Sequence, residues 1–414
     1  MDAPSADGSH AGKSQAWAKS TPPHAVIIVE NMTLPADRRV WQEATSLAEA
    51  GWRISVICPK MGQWTKPFEH LDGVDIYRHP LPFEANGIAG YLLEYGPALI
   101  LEAWHLLRLG LGKIDVVQIC NPPDFLFLPA AMAKFFGNAK IIFDHHDLTP
   151  ELLTEKTGKT SGLLYNFGLW AERQTFALAD RVISTNAGFR DIAITRGNKN
   201  PNHVDIVYSA PDLEKLNPQN PDPDLKKGAK YLALWVGMIG SQDGVDILVE
   251  AMDCLREQDL HLLIVGEGPE RKTLQKLARS KGLEDKISFS GFLSGDDLAR
   301  AFASADIGIG SDPKNDFNDR LAMNKVMEYM AYGLPIAMFD LTECQNIAGD
   351  AAICARNNSP QDLADKISWL LANPAKRQQM AKIGKERIAA TYNWAAQKQT
   401  YLRVFDDLLR EKRP

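Results

Sequence analysis

The residue types most suited to chemistry cluster in the segment MNKVMEYMAYGLP, where Lys325 and Glu328 stand three apart. Helical spacing puts both on one face, with Asn324 as the N-cap and Gly333-Leu334-Pro335 as the stop. A helix N-terminus offers unpaired N–H groups and a partial positive charge, to which Lys325 adds a full one. One turn on, a carboxylate can accept two hydrogen bonds. That pattern suits a nucleoside diphosphate, with the diphosphate at Lys325 and ribose hydroxyls at Glu328; the alternative is an i,i+3 ion pair on the helix surface. Four other places offer candidates. In VGEGPER, Gly266 and Gly268 either approach a ligand with their N–H groups or supply the flexibility a turn needs. In WVGMIGSQDGVD, Gly237 and Gly240 serve a phosphate or a tight loop. FDHHDLTPE carries His145, His146, Asp147 and Glu151. Adjacent strand residues point to opposite faces, so the two histidines cannot easily share a metal. One imidazole oriented by a neighbouring acid is the functional reading, and a structural histidine bonded to a carbonyl the other. NMTLPADRRVW carries Asp37, Arg38 and Arg39, either for an anionic substrate or as solvated loop charges.

These residues all follow short apolar runs, which is where open parallel sheets bind ligands. From His24 the chain alternates β-branched runs (AVIIVE, RISVICP, VDIYRHP, VVQIC, KIIFDHHD, RVISTNAG, VDIVYSAP) with helical periods. Runs apolar on both faces belong in a buried parallel sheet. Three prolines in EKLNPQNPDPDLKKG interrupt the rhythm, which restarts with YLALWVG, HLLIVGEG, KISFSG, DIGIGS and PIAMFD. The expected organisation is a disordered tail over residues 1–22, a Rossmann-like domain over 23–213, a linker over 214–229, a second Rossmann-like domain over 230–392, and a helix over 393–414 that packs back on the first domain. The fold class is α/β, two doubly wound domains facing across a cleft.

Composition narrows the function. The 414 residues are 45% hydrophobic and 24% charged, with a net charge of -6, which gives no general attraction to nucleic acid or anionic lipid. Five scattered cysteines without a Cys-x-x-Cys pair read as buried thiols of a reducing compartment, and the opening residues lack a signal peptide's apolar core, so a cytoplasmic location is expected. Tyr91 to Leu111 holds Glu94, Glu102, His105, Arg108 and Pro97, which favours an amphipathic helix over a membrane span.

Taken together, LPADRRVWQEA, CNPPDFLFL, FDHHDLTPEL, ADRVISTN, GSQDGVD, VGEGPE and MNKVMEYMAYGLPIAMFDLTE resemble the GT-B fold glycosyltransferases of family 4, in particular a bacterial exopolysaccharide and O-antigen subgroup. The resemblance runs from about His24 to the C-terminus. It implies a nucleotide-sugar donor in the second domain, with Lys325 on the diphosphate, Glu328 on the ribose, and Gly266 to Gly268 with Phe292 and Leu293 near the base. It implies that His146, beside Asp147, stands near the transferred sugar and that a glycan or lipid-linked acceptor enters near Asp37, Arg39 and the helix at 91–111, with possible peripheral membrane contact. It further implies retention of configuration without a metal or other cofactor. The chain departs from the family where many members carry a Glu eight residues before Glu328, since Arg320 stands there; Met238 and Asp243 replace a usual Arg and Lys, and the usual glycine pair between the first strand and helix is missing. Arg320 or Arg39 then joins Lys325 in neutralising the diphosphate. Two other readings are an epimerase or hydrolase acting on the nucleotide sugar alone, and a non-catalytic partner subunit.

Overall fold

The computed structural model describes residues 21–81, 88–152 and 162–411, with side chains of 88–95 and 163–164 excepted. The expected tail lies outside the described residues but for its last two. In the first half, β1 (His24–Val29), α1 (Arg38–Glu49), β2 (Arg53–Pro59), β3 (Phe68–Leu71), β4 (Val74–His79), α2 (Ile88–Leu109), β5 (Val116–Cys120), α3 (Phe127–Gly137), β6 (Lys140–His145), α4 (Leu163–Leu178), β7 (Arg181–Ser184), α5 (Ala187–Thr195) and β8 (Val204–Ile206) follow one another. In the second come β9 (Tyr231–Val236), α6 (Val245–Cys254), β10 (Leu260–Val265), α7 (Arg271–Ser280), β11 (Ile287–Gly291), α8 (Gly295–Ser304), β12 (Ile307–Gly310), α9 (Asn324–Tyr332), β13 (Ile336–Phe339), α10 (Thr342–Ala348), β14 (Ala352–Ala355), α11 (Pro360–Ala372), α12 (Pro374–Ala390) and α13 (Trp394–Glu411).

The chain divides into two compact units. One holds the residues up to Cys120, Leu128–Ile141 and those from Phe405 on; the other holds Asn121–Phe127 and Ile142–Val404. In the first unit the strands lie in the order β3-β4-β2-β1-β5. All pair in parallel except β3, which runs antiparallel to β4 at the edge. In the second unit β6, β7 and β8 pair in parallel, and a separate six-stranded parallel sheet has the order β11-β10-β9-β12-β13-β14. The unbroken apolar runs are explained by cover on both faces. Along β9, Ala233 and Trp235 join one buried cluster, while Leu232 and Leu234 join the cluster on the opposite face.

Three expectations need correction. The helix at 91–111 is observed as α2, with apolar residues on both sides: Ile100, Trp104 and Leu107 are exposed, while Glu102 and His105 are buried with Ala98 and Leu106. Glu102 lies beside Glu30 and His79. Burial, then the neighbouring Glu30, holds its carboxyl well above the usual range. Among the cysteines, Cys58, Cys120 and Cys344 are buried but Cys254 is exposed. Residues 214–229 are not all irregular, since Pro223–Lys226 form a 3-10 turn.

The last helix contributes to each unit. In the second, Trp394 N–H donates to the Pro211 carbonyl at 2.9 Å. In the first, Phe405 meets the Trp52 ring edge-on at 5.4 Å.

Candidate functional site

Helix α9 begins with a correction. Its N-cap is Met323, extended and without a side-chain cap, and Asn324 is the exposed first helical residue. Lys325 is only 8% exposed. Its Nζ lies 3.0 and 2.9 Å from the two carboxylate oxygens of Asp312, which is 3% exposed and follows β12. The same amine sits 4.6 Å from the centre of the Trp235 ring at the end of β9. A buried ammonium needs compensation of this kind, because desolvation alone would favour its neutral form. Glu328 is partly exposed one turn along.

Tyr329 fixes the helix to the sheet. Its hydroxyl donates to the Ile309 carbonyl at 3.0 Å and accepts from Val236 N–H at 3.2 Å. Gly308 leaves room for the ring, since a Cβ there would lie 2.4 Å from it. The adjoining loop brings a second acid. Asp243 accepts the Gly240 N–H at 2.9 Å, and Ser311 donates to its carbonyl at 2.8 Å. Burial pushes the Asp243 carboxyl up to about 6, against the pull of Lys325 and with a further push from Asp312. Two acids, Asp312 and Asp243, therefore accompany Lys325 where the sequence pointed only to Glu328 one turn away.

The glycines hold two loops against each other. A Cβ on Gly266, whose φ is 145°, would lie 1.8 Å from the Gly237 carbonyl oxygen, and one on Gly268 would lie 2.3 Å from that of Ile239. The N–H groups of Gly237, Gly240 and Gly266 donate to Val265 O, Asp243 Oδ2 and Gly291 O. Close backbone approach is thus the use the structure makes of these glycines. Phe292 (75% exposed) and Met238 (67% exposed) stand at the carboxyl ends of β11 and β9, with Leu293 partly buried beside Phe292.

The two histidines of FDHHD part company. His145 is fully buried among Phe143, Phe176 and Phe189, and burial followed by the Arg196 charge pushes it down to about 3. Its side chain lies 4.0 Å from Glu172, itself paired with Arg196 at 2.6 Å. His146 remains 11% exposed at the side chain, and its Nε2 lies 2.6 Å from Asp144 Oδ2. A carboxylate accepts, so this bond places the ring proton on Nε2. The orienting acid is Asp144. Asn121, buried after β5, accepts His146 N–H at 2.7 Å and Asp147 N–H at 3.3 Å, and donates to Asp147 O at 2.8 Å and Asp124 Oδ1 at 2.9 Å. Asn121, Asp144, Asp312 and Trp235 are the residues sequence reasoning missed. Only CNPPD carried a signal, an Asn three residues before an Asp.

The remaining candidates serve the fold as they stand. Asp37 caps α1 by accepting Val40 N–H at 3.0 Å. Arg39 is 7% exposed, with Nε 3.1 Å from Glu43. Arg320 is exposed and donates to the Asp316 carbonyl at 3.2 Å.

The chain is similar to known proteins. The family described as "Glycosyl transferases group 1" matches residues 217–387, and that described as "Glycosyl transferase 4-like domain" matches residues 36–208. The alpha-D-kanosaminyltransferase of Streptomyces kanamyceticus is 25% identical over 344 residues, 77% of this chain and 84% of that protein. The sulfoquinovosyl transferase of Arabidopsis thaliana is 23% identical over 302 residues, 69% of this chain, and the match spans only 55% of that longer protein. The crystal structure of Anabaena HepE in complex with UDP and glucose superimposes with a TM-score of 0.71 at 14% identity, covering 93% of this chain and all of that one.

Proposed function

Starting from a chain that belongs to the group 1, family 4 glycosyltransferases of GT-B fold, we propose that it transfers a hexose-type sugar, with retention of configuration, from a nucleoside-diphosphate sugar to a glycan or lipid-linked saccharide in surface polysaccharide synthesis. The observation that carries this reading is the ammonium of Lys325, held at the start of α9 by Asp312 and Trp235. Its charge, with the helix N-terminus, stabilises the diphosphate as the sugar leaves. Glu328 receives the ribose hydroxyls, and Phe292 and Met238 offer apolar surface to the base. In the transfer step the acceptor oxygen bonds to the anomeric carbon on the face the diphosphate vacates. The bond from that carbon to the diphosphate breaks, and the acceptor proton passes to a diphosphate oxygen. His146, its ring fixed by Asp144, hydrogen-bonds the sugar. No enzyme nucleophile and no metal ion takes part in this step.

A nucleotide panel in a thermal-shift assay tests the donor half, because a ligand that binds only the folded chain raises its Tm. The expected result is a rise with one nucleoside diphosphate that Lys325→Ala abolishes. No rise with any of them sinks the reading. The rate is expected to be independent of added Mg²⁺ or Mn²⁺. Incubation with nucleotide sugars and no acceptor distinguishes transfer from epimerisation, which would yield a new nucleotide sugar.

Membrane contact belongs to the same reading. Ile100, Trp104 and Leu107 on α2, and Leu128, Phe135 and Phe136 on α3, are exposed apolar side chains within one unit. The Arg108 guanidinium stacks 4.6 Å over Trp104. Among the described residues no helix is long and apolar enough to cross a membrane, so the contact is a surface one.

A further inference from the structure

A second cluster, in the other compact unit, has no part in the chemistry above. Glu30 follows β1, His79 ends β4 and Glu102 reaches down from α2. They are 3%, 1% and 0% exposed. One ligand atom from each lies within 4.8 Å of the other two.

Hydrogen placement makes this cluster unusual. His79 Nδ1 lies 3.2 Å from the Pro80 carbonyl oxygen. A carbonyl only accepts, so Nδ1 carries a ring proton, and in the neutral imidazole Nε2 presents its lone pair. That lone pair faces Glu30 Oε2 at 2.9 Å. Among the described residues no hydrogen-bond donor reaches His79 Nε2 or either oxygen of Glu102. Electron pairs pointed at one another in a dry interior repel unless a proton or a metal ion lies between them.

We propose that Glu30, His79 and Glu102 bind one divalent transition-metal ion of the zinc class, which pins α2 to the carboxyl ends of β1 and β4. Two carboxylates cancel the ion's charge, and one imidazole nitrogen favours zinc or its first-row neighbours over the oxygen-seeking Mg²⁺ and Ca²⁺. The Pro80 carbonyl on Nδ1 is the outer bond that metal-ligating histidines characteristically make, fixing the tautomer and turning Nε2 toward the ion. The site also accounts for the burial of Glu102 on α2, a helix whose Ile100, Trp104 and Leu107 face out. This proposal is independent of the glycosyl-transfer reading, and its test does not use activity.

The full chain, purified without a polyhistidine tag or chelator, would be assayed for metal by mass spectrometry. It would then be stripped with dipicolinate and titrated with Zn²⁺ against a chromophoric chelator while Tm is followed. The expected result is about one equivalent of Zn²⁺ per chain and a Tm that rises with Zn²⁺, both lost in His79→Gln and in Glu102→Gln. A stripped wild-type chain that takes up no stoichiometric Zn²⁺ overturns the proposal and shows that shared protons fill the cluster. Retention of the equivalent in both variants also overturns it. Should the variants fail to fold, Co²⁺ loaded into the stripped wild type decides: weak visible bands without thiolate charge transfer support nitrogen and oxygen ligation, and a strong thiolate band refutes it.

Discussion

Lys325 is buried against an acid and an indole, so on the proposed reading a donor diphosphate would share the amine with Asp312. Removing the amine leaves Asp312 as an unpaired buried carboxylate as well as stripping charge from the leaving group. Lys325→Ala is therefore expected to lower kcat/KM by the equivalent of about 2 to 4 kcal/mol, the size of a lost charge-stabilising donor. Glu328→Ala is expected to cost a similar amount through the ribose, and steady-state kinetics with the donor found by the nucleotide screen would check both. Wild-type values in both variants would remove the site assignment. Asp243 gives a pH prediction with a definite sign. Its folded-state pKa of about 6 lies above the ordinary 3.8, so between those values the folded chain binds more protons than the unfolded one. The contribution of this carboxyl to stability is then greatest below about pH 4 and is lost as pH rises through about 6. Asp243→Asn keeps an oxygen for Gly240 N–H and removes the titration. Its stability relative to wild type should increase from acid to neutral pH, as urea unfolding of both proteins across that range would report. A constant difference would show that the carboxyl does not carry a raised pKa.

Elements explain why some of these residues were legible in the sequence and others were not. The apolar runs of β1, β2, β9 and β10 announce themselves because both faces of each strand are covered, and α9 is marked by a cation and an acid on one turn beside Met327, Tyr329 and Met330. Asp312 escaped because its partner lies thirteen residues away across a loop, a distance no periodicity encodes. Asn121 and His146, twenty-five residues apart in chain order, meet only because β5 and β6 end near one another. The edge strand β3 is short and half exposed and lacked a pattern. α2 misled for a physical reason: its apolar residues lie on more than one side, and only the fold decides that Leu106 is buried with Glu102 while Ile100, Trp104 and Leu107 stay exposed. The glycine loops were open to two readings, and the packing distances show close backbone approach at Gly266 and Gly268. Gly266→Ala is accordingly expected to destabilise the protein by more than the roughly 1 kcal/mol of an ordinary left-handed alanine. The added Cβ would fall at 1.8 Å from backbone that has no side-chain freedom to yield. A Tm equal to wild type would show that the two loops can separate without cost.

On the scale of the molecule, the exposed apolar side chains of α2 and α3 are the feature a purely soluble reaction leaves unexplained. A net charge of -6 repels an anionic surface, yet Arg108 in the last turn of α2 and Lys134 in the last turn of α3 place positive charge beside the apolar residues. Apolar insertion with a local cationic rim favours adsorption at an interface over spanning it. A lipid-linked acceptor would then be met at the surface where it resides. Sedimentation with anionic phospholipid vesicles is expected to pull down the wild-type chain, to weaken as salt is raised, and to fail for Trp104→Glu combined with Phe136→Glu. The dependence on salt separates the cationic contribution from the apolar one, because screening acts on charge within about a nanometre at physiological ionic strength and leaves burial of apolar area untouched. The double variant should still transfer sugar to a short water-soluble acceptor, since neither residue belongs to the donor site. Loss of that activity together with vesicle binding would mean that α2 and α3 shape the catalytic fold, and undiminished vesicle binding would show that the contact lies elsewhere.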